Sequence, residues 1–414
     1  MKFLHTADLH LGQIMYQNYG REDEHRHFFA QLDQWCATYH PDALLVSGDI
    51  FDIQQPGAAT KHAFNEFFVG LHNRYPEMQI VITAGNHDSA SRIQADNVVW
   101  QLGKVALVGR PPASNSTSLP DGWQEDYLVR IKGKGYIIAL PFMTGSRRET
   151  IQAILDYVAK ENTIGLPVVV MGHTAVVGTD FTGHNNDIGH LQTLDPADLG
   201  KGYDYYAMGH IHRPQTVGHL DDEHQEVSLY PSEVIRYSGS ALHVSCDEKY
   251  PHSVSLVEID RHGGEVKVSR LRINELRHFY ELPTTQPAQS YEEAIEAVKT
   301  FAQEGVRGYI RLRINYDTDL PSDFNQQIYD LLEVYHDEIR YNPKIVWENI
   351  PTRQKPSKRL VFEVADLQQM TNPMEFIEQT IDHYNGLSLD EIRSAFVEIA
   401  AECCKLQEEG ARKK

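Results

Sequence analysis

The 414 residues, 41% hydrophobic and 23% charged, suffice for two or three domains and exclude a disordered, collagenous or disulfide-scaffolded chain. Lys plus Arg number 38 against 58 Asp plus Glu, and the net charge of −20 argues against non-specific attraction to polyphosphates unless bound cations or a basic partner offset it. Four cysteines in no metal-knuckle spacing, an N-terminus interrupted by His5, Asp8 and His10, and no apolar run near the roughly 20 residues that cross a bilayer predict a cytoplasmic protein with no membrane span.

Buried strands are predicted at Lys2–Thr6, Ala43–Ser47 and Gln79–Thr83, each running into polar residues at Asp8, Asp49 and Asn86. Between them, 24–39 and 58–71 have helical periodicity, with Phe28, Leu32 and Trp35 on one face and Phe64, Phe67 and Phe68 on the other helix as candidate core. A loop is predicted at 112–122 and another at 180–187. Strands at 127–131, 136–140, 167–171, 205–208 and 253–259, with a helix at 148–160, continue the rhythm of a layered α/β fold. The expected domains are 1–272, 273–350 and 351–414. From His278 the pattern is strand, helix, strand, helix, strand, with Ile310, Leu312 and Ile314 alternating against Arg311, Arg313 and Asn315, which predicts a small α+β domain. The basic linker 353–359 leads to two short helices, one opened by Asn372, Pro373 and Glu375 and closed by Gly386, the other capped by Ser388 and Glu391. Ile392, Phe396, Ile399, Cys403 and Leu406 give the last helix one apolar stripe.

Five polar clusters follow predicted strands: Asp8-Leu9-His10, Gly48-Asp49-Ile50-Phe51-Asp52, Gly85-Asn86-His87-Asp88, Gly172-His173 and Gly209-His210-Ile211-His212. Asp and His suit divalent metals of borderline softness, and neighbouring glycines let the backbone approach closely. In an extended Asp-x-His or His-x-His both side chains point the same way, so one strand end can feed one metal. A carboxylate such as Asp49 can bridge two ions where an imidazole cannot. Two ions roughly 3.5 to 4 Å apart activate water and clamp a phosphoryl group for in-line displacement. Any single cluster is explained by polar turn residues; five in this order, all at strand ends, are not.

The clusters resemble, in order, the Asp-x-His, Gly-Asp-x-x-Asp, Gly-Asn-His-Asp/Glu, Gly-His and Gly-His-x-His pattern of the calcineurin-like metallophosphoesterase superfamily. Residues 4–13, 21–25, 85–89, 209–213 and 237–240 further resemble the nuclease-subunit branch found in bacterial SbcCD-type complexes, clearly to about residue 260 and architecturally beyond it. That resemblance implies a four-layer α/β/β/α core, a small α+β capping domain that binds DNA, and C-terminal helices that dock on an SbcC-type, SMC-like ATPase. It implies one metal held by Asp8, His10, Asp49 and His212 and a second by Asp49, Asn86, His173 and His210. Manganese is favoured by the resemblance, whereas the donor types alone admit iron, zinc or magnesium.

His87 is implied to face the scissile phosphate, with the Asp52 carboxylate hydrogen-bonded to it; Asp88 is read as a turn residue. The implied activity is that of a DNA nuclease, a 3′–5′ exonuclease on duplexes and an endonuclease on single strands or hairpins, in double-strand-break and hairpin processing. The implied assembly is a homodimer that forms a heterotetramer with the ATPase. A stand-alone metallophosphoesterase on nucleotides or small phosphodiesters, and a non-catalytic assembly protein, stay open at this point. His25, His27, His62, His184 and His190 are read as structural or surface residues. Arg147, Arg148, Arg213 and the 353–359 cluster suit phosphate contacts and solvated surface equally.

Overall fold

The computed structural model describes residues 1–348 apart from 102, 113–118, 120, 183–192 and 220–226. The linker at 353–359, the two helices after it, and His184 and His190 therefore lie outside the described residues.

The chain opens with β1 (Lys2–Thr6), a short hairpin of β2 (Ile14–Met15) and β3 (Tyr19–Gly20), and α1 (Glu22–Tyr39). Glu22, Asp23 and Glu24 place negative charge in the first turn of α1, where the helix dipole favours it. Then β4 (Ala43–Ser47), α2 (Ala58–Arg74), β5 (Gln79–Thr83), α3 (Ala90–Trp100) and β6 (Val105–Val108) alternate. After the short α4 (Trp123–Tyr127) come β7 (Leu128–Ile131), β8 (Gly135–Ala139), α5 (Arg148–Glu161), β9 (Val168–His173) and β10 (Tyr205–Gly209). The core closes with β11 (Gln215–Thr216), β12 (Val227–Tyr230), β13 (Val234–Tyr237), β14 (Ser253–Ile259) and β15 (Val266–Arg272). The hairpin of β2 and β3, helices α3 and α4, and strands β6, β11, β12, β13 and β15 are not among the elements predicted from sequence.

These strands build two mixed sheets, ordered β12-β15-β14-β1-β4-β5-β6 and β11-β13-β10-β9-β8-β7. In the first, β1, β4, β5 and β6 are parallel; in the second, β8, β9, β10 and β13 are. Parallel neighbours need crossovers, which α1, α2, α3 and α5 supply. The two-residue period of a strand then sorts side chains between faces. Phe3, Leu45 and Val81 join Ile138, Val170 and Ala207 of the second sheet in one core, to which α5 adds Ile151, Ile154, Leu155 and Val158. Leu4, Leu44, Val46, Ile80 and Ile82 face the other way, against Phe28 and Leu32 of α1, Phe64 and Phe68 of α2, and Ile93 of α3. Helices, sheet, sheet and helix thus make the expected four layers. Each fully buried aromatic such as Phe68 contributes about 1.5–3 kcal/mol by leaving water.

Beyond the core, β16 (His278–Leu282), α6 (Tyr291–Gln303), β17 (Gly308–Asn315), α7 (Phe324–Leu332) and β18 (Ile339–Glu348) form a parallel three-stranded sheet with two helices. It has its own apolar centre around Val298, Phe301, Ile310, Leu312, Ile314 and Ile328. Buried charges fasten it to the start of α1. Arg340 Nη1 donates to Glu24 Oε1 at 2.7 Å, Tyr309 Oη to the same oxygen at 2.6 Å, and Arg277 Nη1 lies 2.7 Å from Asp23 Oδ2. Arg21 Nη2 donates to the other Glu24 oxygen at 2.7 Å, so two carboxylates gather three guanidiniums. No described helix is long and apolar enough to cross a membrane.

Candidate metal centre

The parallel strands bring five chain segments to one rim, the carboxyl ends of β1, β4 and β5 in one sheet and of β9 and β10 in the other. Asp8 and His10 follow β1, Asp49 follows β4, Asn86 follows β5, His173 ends β9, and His210 and His212 follow β10. The two sheets are pinned together at this rim: Ser47 Oγ donates to the Ala207 carbonyl at 3.0 Å, and His173 Nδ1 donates to the Ser47 carbonyl at 2.9 Å. The loops are stitched by backbone bonds from Asp8 N to Gly48 O, His10 N to Asp49 O and Asp52 N to Leu11 O, at 3.1, 3.0 and 3.1 Å.

The backbone at this rim is not extended, contrary to the simple alternation argument. Asp8, His10, Asp49 and His210 have φ of 51°, 45°, 46° and 93°. Such left-handed turns fold the short segments back so that side chains two residues apart converge, at a local cost that the surrounding structure must impose. Two glycines make room. A methyl group on Gly48, itself at φ +82°, would lie 2.0 Å from His173 Nδ1, and one on Gly85 would lie 2.1 Å from Asp49 Oδ1.

Among the described residues, three groups present Asp or His donor atoms within 4.8 Å of one another: Asp8, His10 and His212; Asp49, His173 and His210; and His10, Asp52 and His87. Asp49 lies between the first two groups, its Oδ2 3.2 Å from His173 Nε2 and 4.0 Å from His10 Nε2. Asn86 Oδ1 completes the second, 3.0 Å from both His173 Nε2 and His210 Nδ1. Asp8 accepts from His210 N at 3.0 Å, and Asp49 Oδ1 from His87 N at 2.8 Å, so backbone amides aim both carboxylates. His10 Nε2 is buried and makes no hydrogen bond, as befits a nitrogen directed at a cation.

Burial and charge compete here. Burial pushes the His212 imidazole down to about 4, against the pull of Asp8, and so keeps it neutral. For His173 burial acts downward too, but Asp49 and Asp8 outweigh it and hold this ring up to about 9. His10 is likewise raised, burial being overcome by Asp52, Asp49 and Asp8. Burial would raise Asp49, yet His173, His10 and His87 hold it well below the ordinary carboxylate range. Burial dominates at Asp8, whose carboxyl is raised.

His87 is half-buried beside this cluster, its ring centroid 5.0 Å from that of His10. One expectation needs correction. His87 Nδ1 donates at 2.8 Å to the backbone carbonyl of Asp52, while the Asp52 carboxylate points Oδ1 to His10 Nδ1, 3.3 Å away. The carboxylate is drawn to the more deeply buried ring, and the carbonyl takes over the orientation of His87. Asp88 is the turn residue expected: its buried carboxylate accepts from Ile50, Phe51 and Gly85 amides at 3.0, 3.0 and 2.8 Å. Burial, then Asp49, lifts it to about 6.

Three of the remaining candidates have structural partners. His25 Nε2 donates to the Leu9 carbonyl and His27 Nε2 to that of Asn274, both at 2.9 Å. Arg213 pairs with Asp180 and lies over the Tyr250 ring. Sequence reasoning missed Glu248, whose Oε1 accepts from His212 Nδ1 at 2.8 Å. It stands in the polar stretch 245–249, 36 residues from its partner, in no recurring motif.

Among curated proteins the chain is similar to the SbcD component of the nuclease SbcCD of Rhodobacter capsulatus, 30% identical over 288 residues that cover 63% of this chain and 66% of that one. The Escherichia coli K12 protein of the same name is 30% identical over 275 residues, 62% of this chain and 65% of its own. The DNA double-strand break repair protein Mre11 of Methanopyrus kandleri is 28% identical over 221 residues, covering 52% of this chain and 45% of that one. The chain therefore spans a little under two thirds of the length of the first two relatives. Residues 1–214, more than half of the 414, match the calcineurin-like phosphoesterase family and include all five clusters of the rim, and the chain belongs to that family.

Proposed function

We propose that this chain is the nuclease subunit of a DNA-processing complex, a metal-dependent phosphodiesterase with 3′–5′ exonuclease activity on duplexes and endonuclease activity on single strands and hairpins. The observation that carries the reading is the convergence on Asp49 of donors from five strand ends, with half-buried His87 against the His10 ring. Family membership implies divalent metal binding, and the donors fit it: carboxylate, amide and imidazole groups, with a buried His10 Nε2 that makes no hydrogen bond. Asp8, His10, Asp49 and His212 would hold one ion, and Asp49, Asn86, His173 and His210 the other. Manganese suits this mixed N/O set. When bound, two such ions supply an activated water and charge neutralisation at the phosphoryl group.

The chain's own side chains do the remainder. Asp49 joins the two halves of the site. His87, in its doubly protonated form, keeps one hydrogen on the Asp52 carbonyl through Nδ1 and presents Nε2–H to the phosphodiester, gives that proton to the departing oxygen and is left as the neutral ring. Asp52 thus acts by positioning, through its carbonyl on His87 and its carboxylate on His10.

Similarity to an SbcCD nuclease component and to a DNA double-strand break repair protein supports DNA as substrate, and the resemblance of the motifs supports an SbcC-type, SMC-like ATPase as partner. Residues 273–350 would form a capping domain that guides DNA, and 351–414 would engage the ATPase. By the same resemblance, the assembly would be a homodimer, and with the ATPase a heterotetramer. The protein would act in the cytoplasm.

The test is digestion of end-labelled duplex and hairpin DNA in Mn2+ by wild type, Asp49→Asn and His87→Ala. Asp49→Asn should lose metal-supported cleavage. His87→Ala should keep Mn2+ binding and lose about 10²–10⁴-fold in rate. Full activity in His87→Ala would refute the assignment, and hydrolysis of small phosphodiesters with DNA untouched, even with the ATPase present, would refute the substrate.

A further inference from the structure

His212 is held from behind by a carboxylate that no motif announces. Glu248 is fully buried, and its Oε1 accepts from His212 Nδ1 at 2.8 Å. With Nδ1 so engaged, the nitrogen left to face Asp8 and His10 is Nε2. The other oxygen, Oε2, accepts from Val244 N at 3.0 Å and lies 3.4 Å from His252 Nε2. His252 is in turn fixed by the Ser240 carbonyl, 2.9 Å from its Nδ1, and Ser240 N donates to the His212 carbonyl at 3.0 Å. The ring and backbone of His212 are therefore locked by one closed set of partners.

The loop that carries Glu248 is fastened from outside as well. Arg311 of the small sheet approaches both Cys246 Sγ and Asp247 Oδ1 at 3.3 Å.

We propose that Glu248 is a positioning residue for the metal centre, which fixes the tautomer and ring direction of His212 and so sets the affinity of the Asp8, His10 and His212 side of the site. This rests on the metal-centre reading above. The physics is that of a carboxylate behind a ligating imidazole: it holds the proton on the distal nitrogen and makes the proximal one a better donor. Of the other ligating imidazoles, His10 has the Asp52 carboxylate 3.3 Å from its Nδ1 and serves the same ion as His212, whereas on the second ion's side His173 donates to a carbonyl and His210 Nδ1 meets the Asn86 amide oxygen. The effect should consequently be confined to one of the two ions.

The experiment is titration of the metal-free full chain with Mn2+, followed by calorimetry and by the Mn2+ paramagnetic resonance signal, for wild type, Glu248→Ala, Glu248→Gln, Glu248→Asp and His212→Ala. Wild type should bind two ions. Glu248→Ala should bind one as wild type does and the other about 10–100-fold more weakly, with loss of the signal of a coupled pair. His212→Ala should weaken the same ion. Glu248→Gln should restore part of that affinity, because its amide oxygen can still accept from His212 while its NH2, placed against the Val244 N–H, gives up that bond.

Two ions bound at wild-type affinity by Glu248→Ala would overturn the proposal. If the alanine variant does not fold, Glu248→Asp decides, since a carboxylate one methylene shorter leaves His212 unheld: equal weakening of one ion supports the role, and unchanged binding overturns it. Wild type that binds no Mn2+ would overturn the metal centre itself, a distinguishable failure.

Discussion

The imidazole of His173 makes a quantitative test of the metal centre. Its Nδ1 faces the Ser47 carbonyl at 2.9 Å and must carry a hydrogen, so the nitrogen that titrates is Nε2, 3.2 Å from Asp49 Oδ2 and 3.0 Å from Asn86 Oδ1. That is the atom assigned to the second ion. Burial alone would favour the neutral ring, but Asp49 and Asp8 raise its pKa to about 9. At pH 7, about two units lower, roughly 99% of metal-free molecules hold the proton, and a cation must expel it. Apparent Mn2+ affinity at that ion should thus be about a hundredfold weaker at pH 7 than above pH 9, about 3 kcal/mol, rising tenfold per pH unit between. Calorimetry in two buffers of different ionisation enthalpy should count at least one proton released at pH 7, to which His10, also raised, adds.

The same shift acts on folding. A pKa raised from 6.5 to about 9 stabilises the metal-free fold fully below about pH 6.5, and that contribution is lost as pH climbs through 9. Metal-free protein should lose thermal stability over this window while Mn2+-loaded protein does not. Affinity that is flat from pH 7 to 9, with no proton release, would refute the assignment of His173.

Two other substitutions probe the frame. Gly48→Ala places a methyl 2.0 Å from His173 Nδ1 at φ +82°, so Mn2+ stoichiometry should fall from two to one or fewer and the melting temperature should drop. Glu24→Ala would leave Arg21, Arg277 and Arg340 with Asp23 as their remaining carboxylate in the cluster, a loss of about 3–5 kcal/mol that limited proteolysis should report as cleavage between the core and the small sheet.

The chemistry was legible because strand and ligand are neighbours in sequence. β1, β4, β5 and β14 begin and end where alternating or β-branched runs place them, and each candidate ligand cluster begins within three residues of a strand end. Periodicity also located α1, α2 and α5 to within three residues. Helix α3 escaped because Ala90–Trp100 has only Ile93 and Asn97 buried and leaves Val98 and Val99 exposed, so it lacks a continuous apolar stripe. Asp52 illustrates a subtler limit: sequence identifies a carboxylate three residues after Asp49 but not that its carbonyl, rather than its side chain, meets His87. Glu248 was invisible for a different reason, since its bond to His212 depends on how β13 and β14 return the chain past β10, a matter of topology.

The left-handed backbone at His10 and His210 also bears on how such a protein can be improved. Histidine at φ 45° or 93° is strained by about 1–3 kcal/mol at each position, whereas glycine would be at ease there. In the absence of metal, a library screened for heat resistance alone would thus enrich variants that discard these two imidazoles. Thermostable but inert progeny is the predictable outcome, and a campaign to harden this scaffold has to impose selection with the ions present, when ligation outweighs what relaxed backbone offers.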